Sequence, residues 1–252
     1  MNRFNLRRSG APRSRRGFTL VEVIVASSVM MMLMLGVLRF KVDMAKSMYV
    51  SEEKGKINHD IRVITQEMAT VARDASFFAL YKSYAMADRD NPVDELAQSN
   101  AGDFLVLVFY GDPPDPIRFN VRPVSRVVGY YRSPIQASDQ QAGNSTADAS
   151  LEPVRKFDLS VANGKIPANT YLSSTYMPTA GTYKTLEQLL PAADAATIAT
   201  HKVITPFAQG LDNGYLFYNF WDKSVMVNGK IVHGNDAKRV TDTYNFTITP
   251  RS

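Results

Sequence analysis

Residues 16–41 read RGFTLVEVIVASSVMMMLMLGVLRFK, and this stretch decides the fold. Positions 18–38 hold 21 residues with one charge, Glu22, and no proline, and Arg39 and Lys41 close the run. As an α-helix rising ~1.5 Å per residue it would be about 31 Å long, which matches a bilayer hydrocarbon core of ~30 Å. The expectation is a single membrane-spanning helix.

Upstream lie Arg3, Arg7, Arg8, Arg13, Arg15 and Arg16, with no acidic residue before Gly17. The chain's formal charge is +5, so removing these six leaves −1 for residues 18–252. The basic character therefore belongs to a short N-terminal tail. Such a tail can bind nucleic acid, but directly before an apolar helix it holds the cytoplasmic side of a membrane, so nucleic acid is not the expected partner. The chain has no cysteine, which excludes a structural disulfide. With 252 residues, 45% of them hydrophobic, there is material for a packed domain beyond the helix.

Several export signals share this outline. A cleaved secretory signal has a shorter apolar region and a small-x-small cleavage site, and the exit Arg39-Phe40-Lys41-Val42-Asp43 contains none. Ser14-Arg15-Arg16-Gly17-Phe18 resembles the start of a twin-arginine signal, but lacks the same site. An uncleaved anchor fits the length and flanks, but gives no reason for Glu22. A carboxylate within a spanning segment costs about 2.5–3.5 kcal/mol near its centre and is as a rule paired and functional. Glu22 stands four residues after Phe18, so in a continuous helix the two share a face. Cleavage after Gly17 would give Phe18 a free amine to neutralise the carboxylate, within a subunit or between staggered neighbours.

Arg16-Gly17-Phe18-Thr19-Leu20-Val21-Glu22, followed by an apolar run, resembles the class III signal of type IV prepilins and type II secretion pseudopilins. The resemblance implies that a membrane aspartyl protease, the prepilin peptidase, cuts after Gly17 and N-methylates Phe18. It implies that Glu22, with Thr19 beside it, acts in assembly by setting the register between pilin or pseudopilin subunits. Gly17 suits the cut, since no Cβ obstructs the approach of the peptidase to the backbone. The organisation that follows is a leader at 1–17, a membrane and assembly half-helix at 18–40, and a head at 41–252. The leader would face the cytoplasm and the head the periplasm, on a single-pass protein of the bacterial inner membrane.

Beyond Lys41 the pattern becomes amphipathic. Ile57, Ile61, Ile64, Met68, Val71, Ala75 and Phe78 trace one stripe, Glu52 and Lys56 stand at i,i+4, and Gly55 is the weakest point, so one helix is expected from Phe18 to Phe78. Asn91-Pro92 is expected to end helical structure. Strand-type runs follow at 104–110, 117–124 and 127–132, with Gly111-Asp112-Pro113-Pro114-Asp115-Pro116 as a rigid turn and 138–150 as a polar loop. Residues 185–200 form a weak helix broken at Pro191, and 215–221 (YLFYNFW) a strand. Asn228-Gly229 suits a two-residue hairpin turn within 225–232. Tyr244, Phe246 and Ile248 alternate in a last strand. One long helix followed by many strands predicts an α+β fold, pilin-like, with the helix laid on an antiparallel sheet. The segment Gly210-Leu211-Asp212-Asn213-Gly214-Tyr215-Leu216-Phe217-Tyr218, with the late Trp221, is similar in pattern to the minor pseudopilin J group.

Chemistry is sparse. His59, His201 and His233 lie in different segments, and no phosphate loop or nucleophile elbow occurs. Asp88, Asp90, Asp94 and Glu95 supply oxygen ligands of the kind calcium takes, but in no EF-hand spacing, so a solvated turn is the expectation and neither metal nor cofactor is. The functional expectation is a non-enzymatic minor pilin or pseudopilin of a type IV pilus or type II secretion pseudopilus. The alternatives are a minor pilin whose head binds DNA, a surface or a secreted substrate, and an envelope enzyme on an uncleaved anchor.

Overall fold

The computed structural model describes residues 17–112, 122–133, 152–172, 181–235 and 238–251. The leader arginines, the turn residues 113–116, the first part of the run at 117–124 and the loop at 138–150 lie outside them. Helix α1 spans Leu20–Asp74. It is followed by strand β1 (Phe77–Tyr81) and two single 3₁₀ turns, Met86–Asp88 and Pro92–Asp94. Then come β2 (Ala101–Gly102), β3 (Phe104–Tyr110), β4 (Val124–Arg132), β5 (Glu152–Ser160), β6 (Thr170–Leu172) and β7 (Thr182–Lys184). Helices α2 (Leu186–Leu189) and α3 (Ala195–Thr200) precede β8 (Lys202–Gly210), β9 (Phe217–Phe220), β10 (Ser224–Asn235) and β11 (Lys238–Ile248). This is the α+β, pilin-like layout: a long N-terminal helix, apolar in its first half, then a largely antiparallel sheet.

The chain divides into two units, residues 1–49 and 50–252. In the first, every described residue from Gly17 to Met48 is exposed. In the second, α1 presents Glu53, Ile57, Ile64, Met68 and Ala72 as its buried stripe, with Ile61 and Val71 half-buried beside it. The helix passes through Gly55 unbroken and ends at Asp74, short of the expected Phe78. The reason is tertiary. Phe77 and Phe78 pair with Val108 and Leu107 of β3, where aromatic side chains gain more from a sheet face than from another helical turn. Asn91-Pro92 does not stop helical structure. Pro92 opens a 3₁₀ turn, with Asn91 and Asp94 forming a reciprocal cap.

Nine strands make one sheet in the order β1-β3-β4-β5-β8-β10-β9-β2, with β11 along the other edge of β10, and every pairing is antiparallel. Strands β6 and β7 form a small parallel pair. Strand β3 reads FLVLVFY without alternation because both of its faces are covered. Against one face lies α1, tied to β5 by Lys156–Glu67 (2.5 Å) and to β10 by His233–Asp60 (2.8 Å). On the other face Tyr81, Phe104, Val106, Tyr131 and Phe157 pack with Leu186 and Leu189 of α2 and Ile198 of α3. Gly129 faces Phe157 across the β4–β5 pair, and a Cβ there would collide with the Phe157 ring.

The sheet curls until β2 comes back beside β1: the Asp103 amide donates to Lys82 O (3.0 Å), and no Cβ would fit between Gly102 and the Tyr81 carbonyl. Asp103 fastens this return. Its carboxylate accepts from Arg132 Nε (3.0 Å) and Nη2 of β4 and from the Leu216 amide (2.8 Å) leading into β9.

Several expected elements are present. Strand β3 has the limits read from sequence, β4 begins three residues early, 215–221 contains β9, and 185–200 is α2 and α3 with Pro191 between them. The hairpin at Asn228-Gly229 is not formed. Both residues lie within β10, opposite Asn245 and Tyr244 of β11, and the pairing runs on to Asn235↔Lys238. Glycine is required at 229 for packing: an added Cβ would fall 2.5 Å from Tyr244 Cζ and 2.7 Å from Leu216 Cδ1.

Candidate functional site

The N-terminal segment is built around one cap. Gly17 and Phe18 precede the helix, and the first intrahelical bond joins the Val23 amide to Thr19 O (3.2 Å). Thr19 is the N-cap residue. Its Oγ1 accepts from the Glu22 amide (3.3 Å), while Glu22 Oε2 accepts from the Thr19 amide (2.9 Å) and hydroxyl (3.0 Å). This is a reciprocal Thr-x-x-Glu capping box, which satisfies donors otherwise orphaned at a helix start. A carboxylate in the first turn also opposes the positive end of the helix dipole.

The four singled-out residues thus fall at one place, in an arrangement different from the expected one. Phe18 lies outside the helix, so in the uncut chain it shares no helical face with Glu22, whose carboxylate is turned toward Thr19. The Thr-x-x-Glu spacing was the signal for this cap, and it sits in the sequence before an apolar run. Gly17 has open space around it, with nothing within 4 Å of where a Cβ would stand, and Phe18 is 86% exposed. Among the described residues nothing covers the bond expected to be cut.

From Leu20 onward α1 shows apolar side chains on all sides, Leu20, Val21, Met30, Leu33 and Phe40 among them, each more than half exposed. It is long and apolar enough to cross a membrane. The hydroxyls of Ser27 and Ser28 bond back to Ile24 O (3.0 Å) and Val25 O (2.8 Å), so they carry no unmet polar group into lipid.

The head holds polar groups in structural roles. His201 Nδ1 meets the Tyr131 hydroxyl at 2.5 Å. Burial, and then the nearby Arg155 and Arg89 guanidiniums, push its pKa down to about 4, so the ring is neutral at pH 7. His233 lies between Asp60 and Glu53 of α1, and His59 is exposed. Ser133 Oγ accepts from the buried Arg155 Nε (2.9 Å). A cleft of about 470 Å³ is lined by Tyr84, Asp103, Arg132, Ser133, Glu152 and Ile198, with Arg132 engaged by Asp103 and Gly214 O. Near Asn91-Pro92, Asp88 accepts from Ser83 Oγ (2.6 Å) and Asp94 from the Asn91 amide (2.9 Å). Among the described residues no three acidic or histidine side chains come together as a metal site.

Residues 12–38 match a family model described as the prokaryotic N-terminal methylation motif. The match covers Gly17, Phe18, the Thr19–Glu22 cap and the apolar run. Comparison with curated proteins and with solved structures gives no match. The likeness of 210–218 to the pseudopilin J group gains no support from them.

Proposed function

From the match of residues 12–38 to the N-terminal methylation motif, we propose that the chain is a type IV prepilin-like protein, a minor pilin or pseudopilin that serves as a structural subunit without enzymatic activity. Prepilin peptidase removes residues 1–17 by cutting after Gly17 and methylates the new Phe18 amine. The helix at 18–40 sits in the inner membrane with the head in the periplasm, until the subunit joins other pilin or pseudopilin subunits in a type IV pilus or secretion pseudopilus. The observation that carries this reading is the coincidence of the matched motif with a capped, all-round apolar helix start.

Glu22 has two states in this scheme. Before cleavage Oε2 is held by Thr19, so the charge is locally satisfied while the precursor waits in the bilayer. After cleavage the ammonium of Phe18 lies next to the Thr19 amide, and the carboxylate's other oxygen can take it, in the same subunit or in a neighbour. A spanning helix is as apolar as lipid, so association relies on packing and on such polar pairs. The test is Gly17→Val expressed with the peptidase: the variant stays in the membrane at full precursor length while wild type shortens. Equal shortening of both would refute the cleavage site.

A further inference from the structure

The chain's single tryptophan stands at the tip of the β9–β10 hairpin, where packing does not hold it. Trp221 is 59% exposed and Phe220 beside it 47%. Trp221 and Asp222 also have φ of +57° and +54°, the left-handed region that turns ordinarily assign to glycine or asparagine. A bulky aromatic here is unfavourable twice, in backbone strain and in exposed apolar surface. Persistent strain of this kind marks positions whose side chain serves something outside the fold.

The turn is held rigidly from below. Asn219, 2% exposed, donates from Nδ2 to Leu96 O (3.2 Å) and to Asp222 Oδ1 (2.6 Å), and its Oδ1 accepts from the Asp222 amide (2.9 Å). Its backbone is bonded to Asn100 O and to the Ser99 amide, both at 2.9 Å. The tip is therefore a preorganised knob on a stiff hairpin, and preorganisation lowers the entropic loss on binding.

The surroundings are acidic. Glu95 precedes Leu96, whose carbonyl accepts from Asn219 beneath the turn (3.2 Å), and Glu187 and Asp222 lie within its electrostatic reach: burial, then Glu187, then Asp222 push the Glu95 carboxyl up. Among the described residues none of the three is in an ion pair. Glu187 accepts the Tyr81 hydroxyl (2.9 Å) on one oxygen, and its other oxygen is buried with no hydrogen-bond partner. Lys223 is the cation of the turn itself.

We propose that residues 220–223, centred on Trp221 and rimmed by Glu95 and Asp222, are a contact knob for a basic segment of a partner protein. A lysine or arginine side chain would lie over the indole face, where the ring quadrupole attracts cations most strongly among the aromatics. The carboxylates supply charge complementarity at the rim. Tryptophan and arginine are also the residues that dominate protein interfaces. These residues lie outside the 12–38 match, and the test is read as the difference between wild type and variants that share the same N-terminus.

The full chain in detergent is titrated into a fluorescein-labelled, end-blocked tetralysine peptide, with a tetraglutamate peptide and phosphatidylcholine vesicles as controls. Anisotropy is followed for the lysine peptide and Trp221 emission for the vesicles. Saturable binding of the lysine peptide is expected, weakened by salt and at least tenfold weaker for Trp221→Gly and severalfold weaker for Asp222→Asn. Glycine adopts φ +57° freely, so Trp221→Gly should melt at the same or a higher temperature than wild type. Unchanged affinity in Trp221→Gly, an equal loss of tetraglutamate binding in that variant, or a blue shift with vesicles and none with tetralysine would overturn the proposal. A lower melting temperature for Trp221→Gly would overturn it too, by showing that the indole serves the fold.

Discussion

Replacing Asp103 by alanine should be among the most damaging single changes in the head. Its carboxylate carries the Arg132 guanidinium at 3.0 Å and 2.5 Å and the Leu216 amide at 2.8 Å. The pair is enclosed, with side-chain exposures of 9% for Arg132 and 12% for Asp103. Breaking a buried pair by removing one partner costs about 3–5 kcal/mol, because the other charge is left without compensation. Arg132 would keep Gly214 O as an acceptor (2.6 Å), which argues for the lower half of that range. The orphaned Leu216 amide adds about 1 kcal/mol or more. The sum is about 4 kcal/mol, a large fraction of an ordinary domain stability of roughly 5–15 kcal/mol. Adding Arg132→Met removes the stranded cation and should recover about 2 kcal/mol, since apolar replacement of a buried pair is far less harmful than halving it. Urea unfolding of the full chain in detergent, followed by far-ultraviolet circular dichroism, measures both. A loss under about 1 kcal/mol for Asp103→Ala, or a double variant no more stable than the single one, would refute the idea that this node closes the sheet.

Three other outcomes are expected. His201 has a folded pKa near 4 against an ordinary 6.5, so the unfolded chain binds its proton first. Stability should therefore fall as pH drops from 6.5 toward 4 and be flat above, by about 1–2 kcal/mol after allowing for the ring's partial exposure. The difference between wild type and His201→Gln across that window measures this, and parallel pH profiles would contradict it. Gly229→Ala should cost about 1–3 kcal/mol through overpacking against Tyr244, whereas Asn228→Val should change stability by no more than about 0.5 kcal/mol if both residues lie in a strand. A large loss for Asn228→Val would restore the turn. Glu22→Ala should be processed normally yet be absent from sheared filaments, and its normal incorporation would remove Glu22 from assembly.

What was legible was local. The apolar run at 18–38, the Ile57–Ile64–Met68 spacing and the strand composition of 104–110 each declare themselves within a few residues. The Thr19–Glu22 box is equally local, since the Thr-x-x-Glu spacing before an apolar run is itself the capping signal. What was not legible depended on distant partners. Helix α1 stops at Asp74 because β3, some thirty residues on, takes Phe77 and Phe78. Asn228-Gly229 carries a sound turn signal that β11 overrides by pairing along the whole of β10. Asp103 has no pattern of its own, and its importance comes from Arg132 and Leu216, which only the fold brings to it. The Trp221 tip likewise looked like the end of a strand, because its positive φ is a property of the hairpin.

The central claim is tested most directly by intact-mass and N-terminal fragment spectrometry of the protein purified from the membrane fraction of cells that contain prepilin peptidase. The expected polypeptide begins at Phe18, carries one added methyl on its α-amine, and keeps every residue of the apolar run. A mature chain that retains Arg3 to Arg16, or one that starts beyond Leu38, would contradict it.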